Sequence, residues 1–247
     1  MEPVITLTHL TKKYRDFTAV SDISLRVNKG EIFGVVGPNG AGKSTTILMM
    51  LGLTEPTSGE ACVCGVNPVT EPVKVKQIVG YLPEDVGFYD DRTGLENIVY
   101  TARLNRVPEV EARQRAFKLL DRVGLADVAN KKTGQYSKGM RQRLGLADVL
   151  IKNPSLIILD EPTTGIDPTG VHEFLELIAC LREEQKLTVL LSSHNLHQIE
   201  QICDRVGIFR DGQMVAEGSP SDMSLKIFGD KTHSLDDIYN TFFTVKD

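Results

Sequence analysis

Residues 37–45 read Gly-Pro-Asn-Gly-Ala-Gly-Lys-Ser-Thr. This is the spacing G-x-x-x-x-G-K-[ST], with which a backbone cradles phosphate. Gly37, Gly40 and Gly42 allow a tight turn that brings backbone N–H groups close to phosphate oxygens, with Pro38, Asn39 and Ala41 completing the loop. Lys43 is placed to reach the β- and γ-phosphates, Ser44 to ligate magnesium, and Thr45 to enter the following helix. Two further sets fit the same chemistry. Leu156-Ile157-Ile158-Leu159 ends on Asp160, which can hold magnesium directly or through a water; Glu161 follows and can polarise an attacking water as general base. His194 follows the apolar run Leu187–Leu191 within plausible reach of a γ-phosphate.

These residues need elements to hold them. Glu31–Val36 reads as a strand before the loop and Thr45–Leu53 as a helix after it, whose N-terminus adds positive partial charge where an anion sits. Leu156–Leu159 reads as a strand buried on both faces of a parallel sheet, with Asp160 at its carboxyl end, where α/β folds place ligands. Alone, each signal has a plainer reading: a chance glycine-rich turn, an acidic turn before Pro162, a surface histidine. His9, His172, His197 and His233 receive that last reading.

Taken in order, the motifs resemble the ATP-binding subunit of an ABC transporter over nearly the whole chain. Tyr14 stands where that family sets an aromatic ring against adenine; Tyr81-Leu82-Pro83-Glu84 matches its γ-phosphate-sensing loop; Tyr136-Ser137-Lys138-Gly139-Met140, continued by Arg141-Gln142-Arg143, matches its signature. Gly165-Ile166-Asp167 matches its aspartate loop, and His194 its switch histidine. Two motifs depart from the pattern. Glu84 replaces the usual glutamine, and only Ser137 and Gly139 keep the core of Leu-Ser-Gly-Gly-Gln. Glu84 either ligates the metal or repels the phosphate. Both variants resemble the subfamily that energises exporters of drugs, polysaccharides, lipids or ions, and cassettes tied to metal maturation.

The resemblance implies an ATPase with magnesium as cofactor. Lys43, Glu161 and His194 are its catalytic residues, and Ser44, Asp160 and Glu84 its metal-side groups. Ser137, Lys138, Gly139 and Met140 would face the ATP of a second cassette, with Asp167 in the dimer loop. One cassette per chain implies a homodimer or a paired heterologous cassette. The resemblance further implies an integral membrane permease as partner, and a place on the cytoplasmic face of the cell membrane. The groove for the permease helix is expected around Glu84–Arg92, with Phe88 and Tyr89 as exposed anchors. The rival function is a soluble ABC-type ATPase that moves no solute. Tandem-cassette translation factors and coiled-coil repair proteins fit poorly, because the chain has one cassette and no room between its motifs. A P-loop kinase would leave Glu161, Ser137–Gly139 and His194 unexplained.

Composition agrees. No stretch approaches 18 consecutive apolar residues, so no transmembrane helix is expected, and Met1-Glu2-Pro3-Val4 does not open a secretory signal. A net charge of −5 offers no basic footprint for nucleic acid. Four cysteines suggest no disulfide framework; Cys62 and Cys64 are expected to share one strand face and to pack rather than bind metal, and Cys180 and Cys203 to be core or near-surface thiols. The expected fold is α/β: a P-loop NTPase core with a RecA-like mixed sheet, an N-terminal antiparallel β portion and an inserted α-helical subdomain. Residues 1–220 form this unit, with the helical part at about 86–150, where Ala116, Leu119, Leu120 and Val123 recur at helical spacing. Residues 221–247 form a helical tail, in which Leu235, Ile238 and Phe242 share one face that packs on its own subunit.

Overall fold

A computed structural model describes residues 3–243. Strands β1 (Pro3–Tyr14) and β2 (Phe17–Asn28) form a long antiparallel hairpin. Along β2, Ile23, Leu25 and Val27 are buried while Asp22, Ser24 and Arg26 face water, the alternation of a sheet with one covered face. Strand β3 (Ile32–Val36) is buried at every position and leads through the phosphate loop into helix α1 (Lys43–Met50). Strand β4 (Ser58–Val63) returns to pair with β1, giving a three-stranded sheet in the order β2-β1-β4.

After helix α2 (Pro72–Ile78) and strand β5 (Val79–Leu82), the chain makes three helices: α3 (Gly94–Leu104), α4 (Glu109–Arg122) and α5 (Lys138–Leu150). They close on a core of their own around Ile98, Ala116, Leu120 and Leu144. Thr93 caps α3 with a reciprocal capping box to Glu96, which fixes where this lobe begins. Strand and helix then alternate through β6 (Leu156–Asp160), α6 (Pro168–Gln185), β7 (Thr188–Ser193), α7 (Leu196–Ile202), β8 (Arg205–Arg210) and β9 (Gln213–Gly218). The second sheet runs β5-β6-β7-β3-β8-β9 and is parallel except for β9.

This central sheet is covered on both faces. Leu156 and Ile158 enter one core with α1 and the small sheet; Ile157 and Leu159 enter the other with α6 and α7. Fully apolar strands follow from that double burial, each large side chain contributing roughly 1.5–3 kcal/mol. The chain ends in α8 (Pro220–Phe228) and α9 (Leu235–Phe243). Leu235 and Ile238 are fully buried in the second core and Phe242 packs beside them, so α9 lies on its own subunit.

Several local expectations shift. The phosphate-loop helix starts at Lys43 and stops at Met50, not Thr45–Leu53, because Gly42 at φ +97° serves as its N-cap. The strand before the loop excludes Glu31, whose carboxylate turns back to accept from the Asn28 N–H. Cys62 and Cys64 do not share a strand face. Cys62 is exposed between buried Ala61 and Val63, and the strand ends before Cys64, which is half-buried with Sγ 3.8 Å from the Ser155 hydroxyl. Cys180 is exposed and Cys203 buried. Among the described residues, no helix is long and apolar enough to cross a membrane.

Candidate functional site

The three central strands end side by side and deliver the site. The loop after β3 carries Gly37–Thr45, β6 ends on Asp160, and β7 ends one residue before His194. The loop must pass close to other backbone. A Cβ on Gly37 would lie 2.4 Å from the Phe209 carbonyl oxygen, and one on Gly42 would lie 2.7 Å from that of Ala19. Gly42 has no side chain to cap α1, so the first amides of the helix stay available to an anion.

Lys43 is buried at the centre. Its Nζ donates to the carbonyl oxygens of Gly37 (2.7 Å) and Pro38 (3.3 Å) and lies 3.3 Å from Glu161 Oε1. Ser44 donates its hydroxyl to Asp160 Oδ1 at 3.2 Å, and Ser192 donates to the same oxygen at 2.6 Å. Sequence reasoning missed Ser192. It stands directly opposite Asp160 in the parallel register of β6 and β7, so strand pairing carries the signal that spacing does not. Asp160 also acts on Tyr81: burial, with the Asp160 charge adding to it, pushes the phenol up to about 12.

Glu161 adopts φ +49°, a left-handed conformation that is uncommon outside glycine. Its N–H donates to Ser192 Oγ (3.0 Å), which holds the turn. One carboxylate oxygen, Oε2, is 2.8 Å from His194 Nδ1; the other, Oε1, is buried and faces the Lys43 ammonium at 3.3 Å. With Glu161 ionised it can only accept, so the imidazole proton sits on Nδ1 and leaves Nε2 free. The His194 side chain is 56% exposed, open to a ligand on that side.

Of these groups, Lys43, Ser44 and Glu161 border a cleft of about 230 Å³, walled by Phe17, Ala19, the loop from Pro38 to Thr45, Glu84 and Glu161, with Asp160, Ser192 and His194 outside its lining. Glu84 is exposed; its carbonyl accepts from buried Gln142 of α5 at 3.0 Å, which ties the sensing loop to the helical lobe. Tyr14 is not among the walls. It pairs with Phe17 across the hairpin, and Lys12 Nζ sits 4.9 Å from its ring centroid.

The signature lies elsewhere. Ser137 caps α5, accepting from the Met140 N–H at 3.2 Å, so that helix begins at Lys138. Lys138 is exposed and lies over Gly165, where a Cβ would come 2.8 Å from its Nζ. Gly139 and Met140 are half-buried, and Asp167 caps α6, accepting from Gly170 N–H at 3.0 Å. None of Ser137, Lys138, Gly139, Met140 and Asp167 reaches the cleft. Tyr89 is exposed as expected, whereas Phe88 packs partly into the lobe core with the Arg141 guanidinium 5.8 Å from its ring centroid, because the chain turns inward there before α3.

Comparisons with known proteins agree with this geometry. A family model described as "ABC transporter" matches residues 20–164. The chain is 40% identical over 217 residues to the bacitracin transport ATP-binding protein BcrA of Bacillus licheniformis, covering 88% of this chain and 70% of that one. It is similar to CbiO1 from Clostridium perfringens, part of the ABC transporter complex CbiONQ, with 27% identity, a TM-score of 0.83 and 90% of each chain covered. It is also similar to the ATP-binding cassette MJ0796 in a dimeric post-hydrolysis state bound to ADP and Pi, with 27% identity, a TM-score of 0.80, and 87% of this chain and 98% of that one covered.

Proposed function

The chain belongs to the ABC transporter family as an ATP-binding, ATP-hydrolysing subunit, and from that premise we propose how its own residues perform the reaction and for what transport. The observation that carries the reading is Glu161, held between Lys43 (3.3 Å) and His194 (2.8 Å) at the mouth of the phosphate loop.

In this reading the loop amides and Lys43 take the β- and γ-phosphates. The Ser44 hydroxyl and Asp160 carboxylate, already in contact, are hard oxygen donors of the kind magnesium prefers, and Glu84 lines the same cleft. Ser44, Asp160 and Glu84 would hold the ion, which when bound neutralises phosphate charge. Glu161 takes a proton from water through Oε1, once the Lys43 ammonium 3.3 Å away turns to the phosphates. That water's oxygen bonds to the γ-phosphorus as the bond to the β,γ-bridging oxygen breaks, leaving ADP and phosphate. His194 keeps Glu161 oriented and turns its free side to the γ-phosphate. Tyr14 contributes an aromatic face for adenine.

Ser137–Met140 and Asp167 act on the ATP of a second cassette, in a head-to-tail pair that ATP draws closed and hydrolysis releases. For domain organisation we favour one ATP-binding unit over 1–220 with an inserted helical lobe at about 86–150, and a helical tail over 221–247 packed on it. A permease segment docks between lobe and core. A second cleft of about 270 Å³, lined by Leu53, Tyr81 of β5, Thr101 of α3 and Asp148 of α5, lies between lobe and core and adds to the surface proposed for that contact. Docking places the subunit on the cytoplasmic face of the membrane. The cargo class is an exported drug, lipid, polysaccharide or ion, or a metal-linked cargo; BcrA, named for bacitracin transport, supports the first of these.

The test is phosphate release by the purified chain beside Glu161→Gln. The reading predicts a loss of about 10²–10⁴-fold, the range for a general base. Unchanged turnover in the variant would overturn the assignment of Glu161.

A further inference from the structure

Asn195-Leu196-His197-Gln198 opens α7 with the pattern of a capping box, a short polar cap followed three residues later by glutamine. In such a box the glutamine side chain reaches back to the N–H of the cap. Here only half of the box forms. The Asn195 side chain accepts from the Gln198 N–H at 3.2 Å, but the Asn195 N–H donates to Ser193 Oγ at 3.0 Å instead. Gln198 Oε1 is turned away from its own helix start and accepts from the Thr163 hydroxyl at 2.6 Å, across 35 residues of chain. The helix start has given up a local partner for a distant one.

Thr163 is buried and stands two residues after Glu161. Two rungs therefore join the same two segments. One runs from Glu161 Oε2 to His194, at Nδ1 (2.8 Å) and at the backbone N–H (3.4 Å). The other is Thr163 to Gln198. Glu161 is a non-glycine residue at φ +49°, a conformation that persists only where surrounding contacts over-determine it. Its N–H is held by Ser192, and its carbonyl accepts from the Thr164 N–H at 3.2 Å. The Thr163–Gln198 bond fastens the same turn to α7 from its far side.

We propose that Gln198 is a positioning residue for ATP hydrolysis: through Thr163 it holds the Glu161 turn against the His194 segment, and so fixes where the Glu161 carboxylate points. The inference rests on the reading of Glu161 as general base. Gln198 does not border the phosphate cleft, so its loss leaves nucleotide binding alone and slows the proton transfer. Either end of the bond can be removed with little else. Alanine at 198 keeps the N–H that Asn195 caps, and valine at 163 keeps the shape of threonine.

The test is steady-state phosphate release by the full chain as wild type, Gln198→Ala, Thr163→Val, the double variant, Thr163→Ser and Glu161→Gln. The inference predicts that Gln198→Ala and Thr163→Val each lower kcat by roughly 5- to 50-fold with KM within about twofold, as for a base slightly misplaced. As two ends of one bond they are not additive, so the double variant loses no more than the larger single loss. Thr163→Ser keeps the hydroxyl and most of the turnover. A general distortion of the site would raise KM, add up in the double variant and fall on Thr163→Ser as heavily as on Thr163→Val. Any of these overturns the inference, as does a wild-type kcat in Gln198→Ala. If Gln198→Ala does not fold, Thr163→Val against Thr163→Ser decides. Full turnover in Glu161→Gln overturns the reading of Glu161 and this inference with it; an inactive Glu161→Gln beside a normal Gln198→Ala overturns this inference alone.

Discussion

Gly37–Thr45 and Ser137–Met140 each deliver the start of a helix after a loop, and they do so in opposite ways. At α1 the N-cap is Gly42, with no side chain to satisfy the first amides. Around that open end, Lys43, Asp160, Glu161, Ser192 and His194 are linked by contacts of 2.6 to 3.3 Å. At α5 the Ser137 hydroxyl takes the Met140 N–H for itself, and Lys138 reaches across onto Gly165. The first region is a reaction site assembled within the chain. The second is a capped surface that, in the proposed reading, acts on a nucleotide brought by another molecule. An enzyme that works as proposed holds its chemistry ready and makes turnover conditional on assembly.

That contrast can be broken at several points. After Glu161→Gln, the largest effect is expected from Gly139→Asp, which sets a carboxylate at the start of α5 where the partner's γ-phosphate would sit. Turnover should fall about 10²-fold or more, as expected when a like charge opposes assembly. ATP affinity of the isolated chain, read by calorimetry, should stay within about twofold. A large loss of that affinity would mean the two regions are not separable.

His194→Ala should cost less, on the order of 10- to 100-fold in kcat, because misorienting a base costs less than removing it. KM should hardly move, since the phosphates are held elsewhere. A KM change without a kcat change would reassign His194 to ground-state binding.

The smallest effect concerns stability. Burial, opposed by Thr101 and Lys152, raises the Asp148 carboxyl from 3.8 to about 6, and its Oδ1 has no partner. The folded state thus holds this proton more tightly than the unfolded one. The group carries no penalty below about pH 4, loses stability as pH rises toward 6, and keeps the full penalty above. Asp148→Asn should flatten that slope and raise stability at pH 7 by on the order of 1–3 kcal/mol, measured by urea titration at pH 4.5 and 7. A slope unchanged by the variant would show that Asp148 is not its source.

The legible parts of this molecule are those where double burial or ligand geometry leaves few options. Ile32–Val36 and Leu156–Leu159 read as strands because a sheet covered on both faces accepts only apolar runs. Lys43, Asp160, Glu161 and His194 were placed by motif spacing, and they do converge. What escaped depends on pairing and on chain direction. Ser192 reaches Asp160 through strand register, which no spacing encodes. Phe17 is a single exposed ring on a hairpin, with no periodic cue. The helix start at Lys43 moved because its cap is a left-handed glycine rather than a side chain. Cys62 and Cys64 separated because β4 ends at Val63 and the backbone turns at Cys64 (φ +52°). Phe88 turned inward with the chain that enters α3, a tertiary preference invisible in its acidic surroundings.

The most direct measurement of the central claim is the solution mass of Glu161→Gln by size-exclusion chromatography with light scattering, in magnesium-ATP and in magnesium-ADP. Two half-sites completed only by a second cassette predict a dimer with ATP, a monomer with ADP, and a monomer in both once Gly139→Asp is added. A variant that stays monomeric in ATP, or that dimerises equally with ADP, would contradict a site shared between two copies.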